Sequence, residues 1–170
     1  LQAVGGHPMC GKEFSSLAYA DAHLYQMAPF ALCALANTSA PARSLAETLA
    51  REVGAHPLWL DAHTHDQWVA ATSHLPYLLA NALAAVTPPQ AAPLVGPGLR
   101  SSTRVAGSSL KVMSDILLTN RAEVLPALQN LQKQLGSLQA VLESADEAAL
   151  FTALEVGEKA YRQVVLAGGR

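Results

Sequence analysis

Aromatic residues are scarce in this 170-residue chain, at 5%, and charged residues reach only 14%. The first shortage argues against a sheet-dominated fold, and the abundance of alanine and leucine favours helices. The second comes with a net charge of -2 and no Lys/Arg cluster, so nucleic acid is not an expected partner. Two cysteines, Cys10 and Cys33, show neither metal-knuckle spacing nor a disulfide framework, which fits a reducing, cytoplasmic compartment. No uninterrupted apolar run reaches the roughly 18 residues of a membrane span, so no membrane is expected. Leu1 is preceded by no Met and no leader pattern follows it, so the chain reads as a piece of something longer. Hydrophobic residues make up 51%, enough for one domain with a sizeable core.

Several chemistries are missing as well. Gly5-Gly6 and Gly96-Pro97-Gly98 lack the GxGxxG spacing of a dinucleotide cradle, so any nucleotide is held elsewhere. There is no HExxH, and His63 and His74 stand about 16 Å apart by helix rise. His65 and His74, nine residues apart, should face opposite ways, and no metal is expected. Ser73 and His74 are helix neighbours about 100° apart, and there is no GxSxG elbow, so a serine nucleophile is not indicated.

The stretch His65–Asn81, HDQWVAATSHLPYLLAN, organises what remains. As a helix it places His74, Tyr77 and Asn81 on one polar stripe with Ser73 beside it, while Leu75, Leu78, Leu79 and Leu83 point into a core. Pro76 should kink it near Thr72 and Ser73. Such a bent, polar helix is either a pocket wall or simply a core helix with satisfied polar groups. Ahead of it, residues 1–13 read as a glycine-punctuated loop, followed by a short helix over 17–25. Phe30–Ala36 and Pro57–Asp61 read as two short strands around a helix opened by Ser39 and Pro41 and stopped by Gly54. Asp61 caps the central helix. Beyond it, residues 87–101 form a Pro/Gly-rich connection. A long helix then runs over 109–144, with Pro126 bending it and a heptad-like seam through Leu117, Val124, Leu128, Leu131, Leu135, Leu138 and Leu142. That seam suits either a second subunit or a hairpin with the last helix. The last helix opens at the capping box Ser144-Ala-Asp-Glu147 and turns Leu150, Leu154, Tyr161 and Val165 inward.

Two groups suit acid–base and anion chemistry. His7 titrates near neutral pH, and Arg104, just before a helix, can grip a carboxylate bidentately. A loop histidine and a surface salt bridge are the plain alternatives.

Four segments in order resemble the prephenate/arogenate dehydrogenase family. Its HPMxGxE loop appears as His7-Pro8-Met9-Cys10-Gly11-Lys12-Glu13. Its HDxxxAxxSHLP helix appears as His65-Asp66 through Ala70 to Ser73-His74-Leu75-Pro76. GFRDxTRxA appears as Gly98 to Ala106, and WxDIxxxN as Met113 to Asn120.

The resemblance implies a mainly α-helical dimerisation domain over 1–170, with a small two-strand element near residues 30–60. It implies a Rossmann domain outside this chain that binds NAD or NADP. It implies oxidative decarboxylation of prephenate or arogenate in tyrosine biosynthesis, and a homodimer through the long helix. By resemblance His7 is the catalytic base, Arg104 binds carboxylate, Ser73, His74 and Tyr77 line the pocket, and Glu13 closes the loop over it. By itself the piece is expected to be inactive. Tyr77, Ser101, Met113 and Ser16 stand where relatives carry His, Asp, Trp and Gly, which bears on the substrate. A non-catalytic helical dimer that senses an aromatic amino or keto acid is the alternative.

Overall fold

A computed structural model describes residues 2–11 and 16–166. The chain divides into two compact units, Leu1–Val124 and Leu125–Arg170. The first is built on a three-stranded sheet of β1 (Val4–Pro8), β2 (Pro29–Ala34) and β3 (His56–Leu60), in that order. β1 runs antiparallel to β2 with His7 opposite Ala31, and β3 runs parallel to β2.

The sheet therefore has three strands where two were expected. Two of the glycines that made residues 1–13 look like a loop, Gly5 and Gly6, belong to strand packing: a Cβ on Gly6 would lie 3.0 Å from the Phe30 ring. Bare backbone there lets the first strand close on the second. The helix expected over 17–25 is only a 3₁₀ turn, Leu17–Tyr19.

Between β2 and β3 runs α1 (Ala40–Glu52), capped by Ser39, whose hydroxyl accepts from the Ala42 N–H. It ends at Gly54, whose φ of 81° is the left-handed conformation that favours glycine at a helix end. α1 is tied to β3 by the Trp59 indole N–H, which donates to Glu47 at 2.6 Å, and by Arg43 stacked 4.8 Å over the same ring.

The central helix begins with α2 (Ala62–Val69), where Asp61 accepts from the Thr64 N–H. It passes through a π turn, Ala70–His74, into α3 (Leu75–Val86). Pro76 explains the turn. It has no N–H to give the Thr72 carbonyl and its ring crowds that carbonyl, so the chain takes an extra residue and the Leu75 N–H bonds to Ala70, five back.

The extra residue rotates everything beyond it. His74, Tyr77 and Ala80, at 5%, 7% and 0% exposure, form the buried face, while Leu79 is 42% exposed. The polar stripe thus faces the interior and the leucines lie nearer the surface, the reverse of the expected arrangement. By length and hydropathy Ala62–Val86 could cross a membrane. Here, however, α2 packs on β2, and α3 packs on the elements that follow it.

The Pro/Gly-rich connection is more ordered than expected. It holds a 3₁₀ turn, Pro89–Leu94, and α4 (Pro97–Thr103), with a proline in the first turn of each. A further 3₁₀ turn, Arg104–Gly107, packs against α3. The long helix is broken into α5 (Leu110–Thr119) and α6 (Arg121–Ser144) at Asn120. Pro126 sits inside α6 without ending it.

In the second unit, α7 (Glu147–Ala160) is capped by Asp146, which accepts from the Ala149 N–H, and not by the box starting at Ser144. It continues into a π turn, Tyr161–Val165. α6 and α7 do not form a closely packed hairpin. Leu154, Tyr161 and Val165, expected inside, are exposed, as are Leu135 and Leu142 on the seam.

Gly6→Ala should destabilise the full-length protein by about 1 kcal/mol, the cost of overpacking against Phe30 less the gain in chain stiffness. Urea unfolding of Gly6→Ala and of Gly6→Ala/Phe30→Leu checks this, the double variant recovering part of the loss.

Candidate active site

A cleft of about 550 Å³ opens in the first unit. The end of β1 and the loop after it supply His7, Cys10 and Gly11; the π turn supplies Thr72 and Ser73. The 3₁₀ turn supplies Arg104, and Ser108, Ser109 and Met113 come from the entry to α5. His7, Ser73 and Arg104 therefore line one cleft, although 97 positions separate His7 from Arg104 (104 − 7 = 97).

The fold makes this convergence understandable. β1 ends beside α2, the π turn points Ser73 outward, and packing of the 3₁₀ turn on α3 brings Arg104 to the same side. Hydroxyls of Ser73, Ser108 and Ser109 beside a guanidinium, with the α5 N-terminus adjacent, suit an anionic ligand.

Other expectations fare differently. His74 and Tyr77 do not line the cleft; the register shift at Ala70–His74 buries both. Glu13 lies outside the described residues. The Ser101 hydroxyl donates to the Gly98 carbonyl at 3.0 Å. Met113 does line the cleft.

Three groups around His7 escaped sequence reasoning. The His7 Nδ1 lies 2.9 Å from the His65 Nε2, with the rings edge to face. The other nitrogen of His65, Nδ1, lies 2.8 Å from the Asp66 carboxylate. Asn120 donates to the Asp66 carbonyl at 2.8 Å and sits 3.3 Å from the His74 Nδ1. For the last, the available signal was its place at the end of the Met113–Asn120 segment. His65 also borders an apolar cavity of about 380 Å³, walled by Leu58, Leu60, Trp68 and Val69. The π turn brings His65 and His74 from opposite faces to within about a quarter-turn of each other.

Electrostatics follow from this crowding. Burial, then the nearby His65, pushes the His7 pKa below its ordinary 6.5. Burial, then His7, pushes that of His74 down too, with Asp66 opposing and His65 adding to it. His7 is thus held neutral, the form that can take a proton. Burial raises the Cys10 thiol, which therefore stays protonated and is a poor nucleophile.

Among the described residues no three His, Cys, Asp or Glu side chains are placed to hold a metal ion. Gly5 and Gly6 form no phosphate cradle: they face Cys33 and Phe30 across the sheet.

Comparison with known families decides the relationship. Residues 61–156 match the family model "Prephenate dehydrogenase, dimerization domain", and residues 1–59 match "Prephenate dehydrogenase, nucleotide-binding domain". The chain belongs to the prephenate dehydrogenase family. The two matches meet at residue 60.

A prephenate dehydrogenase of Bacillus subtilis is 29% identical over 88% of this chain and 42% of its own length. A cyclohexadienyl dehydrogenase of Zymomonas mobilis is 29% identical over 92% of this chain and 56% of its own length. The crystal structure of prephenate dehydrogenase from Aquifex aeolicus in complex with hydroxyphenyl propionate and NAD+ superposes with a TM-score of 0.81. It is 27% identical, covering 94% of this chain and 58% of that one. The chain thus spans about half the length of these relatives. All three are dehydrogenases, which gives the sensor alternative no support.

The two depressed histidines make stability pH-dependent. Below about 6.5 the unfolded chain binds protons that the folded His7 and His74 refuse, so unfolding is favoured as pH falls. Stability should drop by up to about 1.4 kcal/mol per pH unit for each group inside that window. Denaturant melts of wild type and His74→Gln between pH 8 and 5 check this, the variant showing the shallower slope.

Proposed function

We propose that this chain is the substrate-facing part of an NAD(P)-dependent dehydrogenase that oxidatively decarboxylates prephenate or arogenate toward tyrosine. One observation carries it: a neutral imidazole and a guanidinium line one cleft beside the bent central helix. Family membership and the dehydrogenase activity of the relatives support the same reading.

The substrate class has a ring bearing a hydroxyl, with two carboxylates elsewhere. Arg104 binds one carboxylate, helped by the hydroxyls of Ser73, Ser108 and Ser109. His7 accepts the hydroxyl proton as the carbon beneath it gives up hydride. The ring then loses carbon dioxide, and the electron pair released restores aromaticity, the new phenolate taking the proton back from His7. A neutral base with a depressed pKa remains ready at and below neutral pH. The dinucleotide would supply the hydride acceptor; we place its main binding site outside this chain, since Gly5 and Gly6 are taken up by strand packing.

Met113 sits where relatives carry tryptophan, so the cleft wall near the α5 entry is softer and less bulky. Ring substituents of substrate have more room there. The exposed seam of α6, with Leu135 and Leu142, and the exposed face of α7 suit a homodimer, in keeping with the dimerisation model that residues 61–156 match. Cys10 and Cys33, both free thiols, fit a cytoplasmic setting.

Assaying the full-length protein with prephenate and arogenate, each with NAD and NADP, tests the reading; turnover of neither substrate would sink it. His7→Ala should lower kcat by roughly 10²–10⁴-fold with little change in KM, and kcat/KM of wild type should fall on the acid side only below pH 6.5. Arg104→Ala should raise KM about 10–100-fold through a lost charge-assisted bond, with a smaller effect on kcat.

A further inference from the structure

We infer that His65, anchored by Asp66, is a positioning residue that fixes His7 in the tautomer whose Nε2 is bare; the inference deepens the dehydrogenase reading and rests on it.

The geometry allows few proton arrangements. A carboxylate oxygen only accepts, so at 2.8 Å from Asp66 the His65 Nδ1 must carry a hydrogen. In a neutral His65 the Nε2 is then a lone pair. That lone pair lies 2.9 Å from the His7 Nδ1, so His7 must donate there. With its one hydrogen on Nδ1, a neutral His7 has Nε2 as its acceptor. This is the nitrogen a substrate hydroxyl needs. The reverse arrangement, with the His65 Nε2–H donating to His7, requires a doubly protonated His65. It would leave His7 with its hydrogen on the wrong nitrogen for a base.

The setting favours the first arrangement. Among the described residues, the groups facing this pair are Asp66 on the same helix, His74 at the end of the π turn, and Arg104 across the cleft. His65 also borders the apolar cavity walled by Leu58, Leu60 and Trp68, which limits its ring to few orientations. Asn120 holds the Asp66 backbone from α5's end, which limits movement of the anchor. His65 thus stands to His7 as an orienting group stands to any catalytic imidazole. The effect of His65 on the reaction passes through His7.

The test uses the full-length protein with ¹⁵N-labelled histidine. At mildly alkaline pH the His7 signals, assigned by their loss in His7→Gln, should show Nδ1 protonated and Nε2 bare. A His7 protonated at Nε2 in wild type would overturn the inference without any variant. In His65→Leu the two His7 tautomers should mix; an unchanged His7 tautomer there would also overturn it. In kinetics, His65→Leu should lower kcat by about tenfold or more with KM within about twofold. His65→Gln, whose Oε1 can take the place of Nε2 as acceptor, should recover most of that loss. Equal losses in both variants would reduce His65 to a packing role. If wild type turns over neither substrate, the functional reading fails, and the tautomer measurement still decides the orientation of His7.

Discussion

A missing N–H on Pro76 governs the interior of this molecule. Without that donor the central helix cannot continue at its ordinary pitch, and the five-residue turn at Ala70–His74 absorbs the difference. Everything after the turn is rotated. Ser73 is left at the cleft while its neighbour His74 enters the core. A helix of regular pitch would keep His65 and His74 half a turn apart, and Asn120 could not reach both the Asp66 carbonyl and the His74 ring.

The interior around this turn is small-residue and closely spaced. Ala31, Ala50, Ala55, Ala70 and Ala80 account for most of the buried apolar positions, so strands and helices approach at backbone range. Such a core positions backbone firmly but leaves little apolar volume. Three imidazoles occupy space that larger hydrophobes would otherwise fill. Their mutual repulsion, added to burial, keeps His7 and His74 uncharged. The chemistry of the cleft and the economy of the core thus come from the same crowding.

Much of this was legible from residues alone, for identifiable reasons. Caps and breakers act locally, so Ser39, Asp61 and Gly54 marked helix ends correctly, and Pro76 marked the distortion. The strands at Pro29–Ala34 and His56–Leu60 announced themselves as short apolar runs. Motif order brought His7, Ser73 and Arg104 together, since all three sit at element ends whose places are set by local turns. The failures were non-local. Gly6 read as loop because the Phe30 ring that requires it lies 24 residues further on (30 − 6 = 24). The distortion was foreseen at Pro76 but its direction was not, so Tyr77 and His74 were assigned to the cleft when the rotation turns them inward. The break at Asn120 could not be read from periodicity, because it serves contacts to a helix 54 residues earlier.

The boundary between the two family regions carries a practical consequence. Asp61 caps α2 immediately after β3, a natural place to cut if the halves were regarded as separable modules. His7 lies on one side of that cut, and His65, Ser73 and Arg104 lie on the other. A shorter expression product starting at Asp61 would keep the guanidinium and lose the imidazole. Swapping halves between relatives would likewise pair a base with an anchor it did not evolve beside. Chimaeras joined at that point are therefore expected to inherit ligand affinity and proton transfer from different parents.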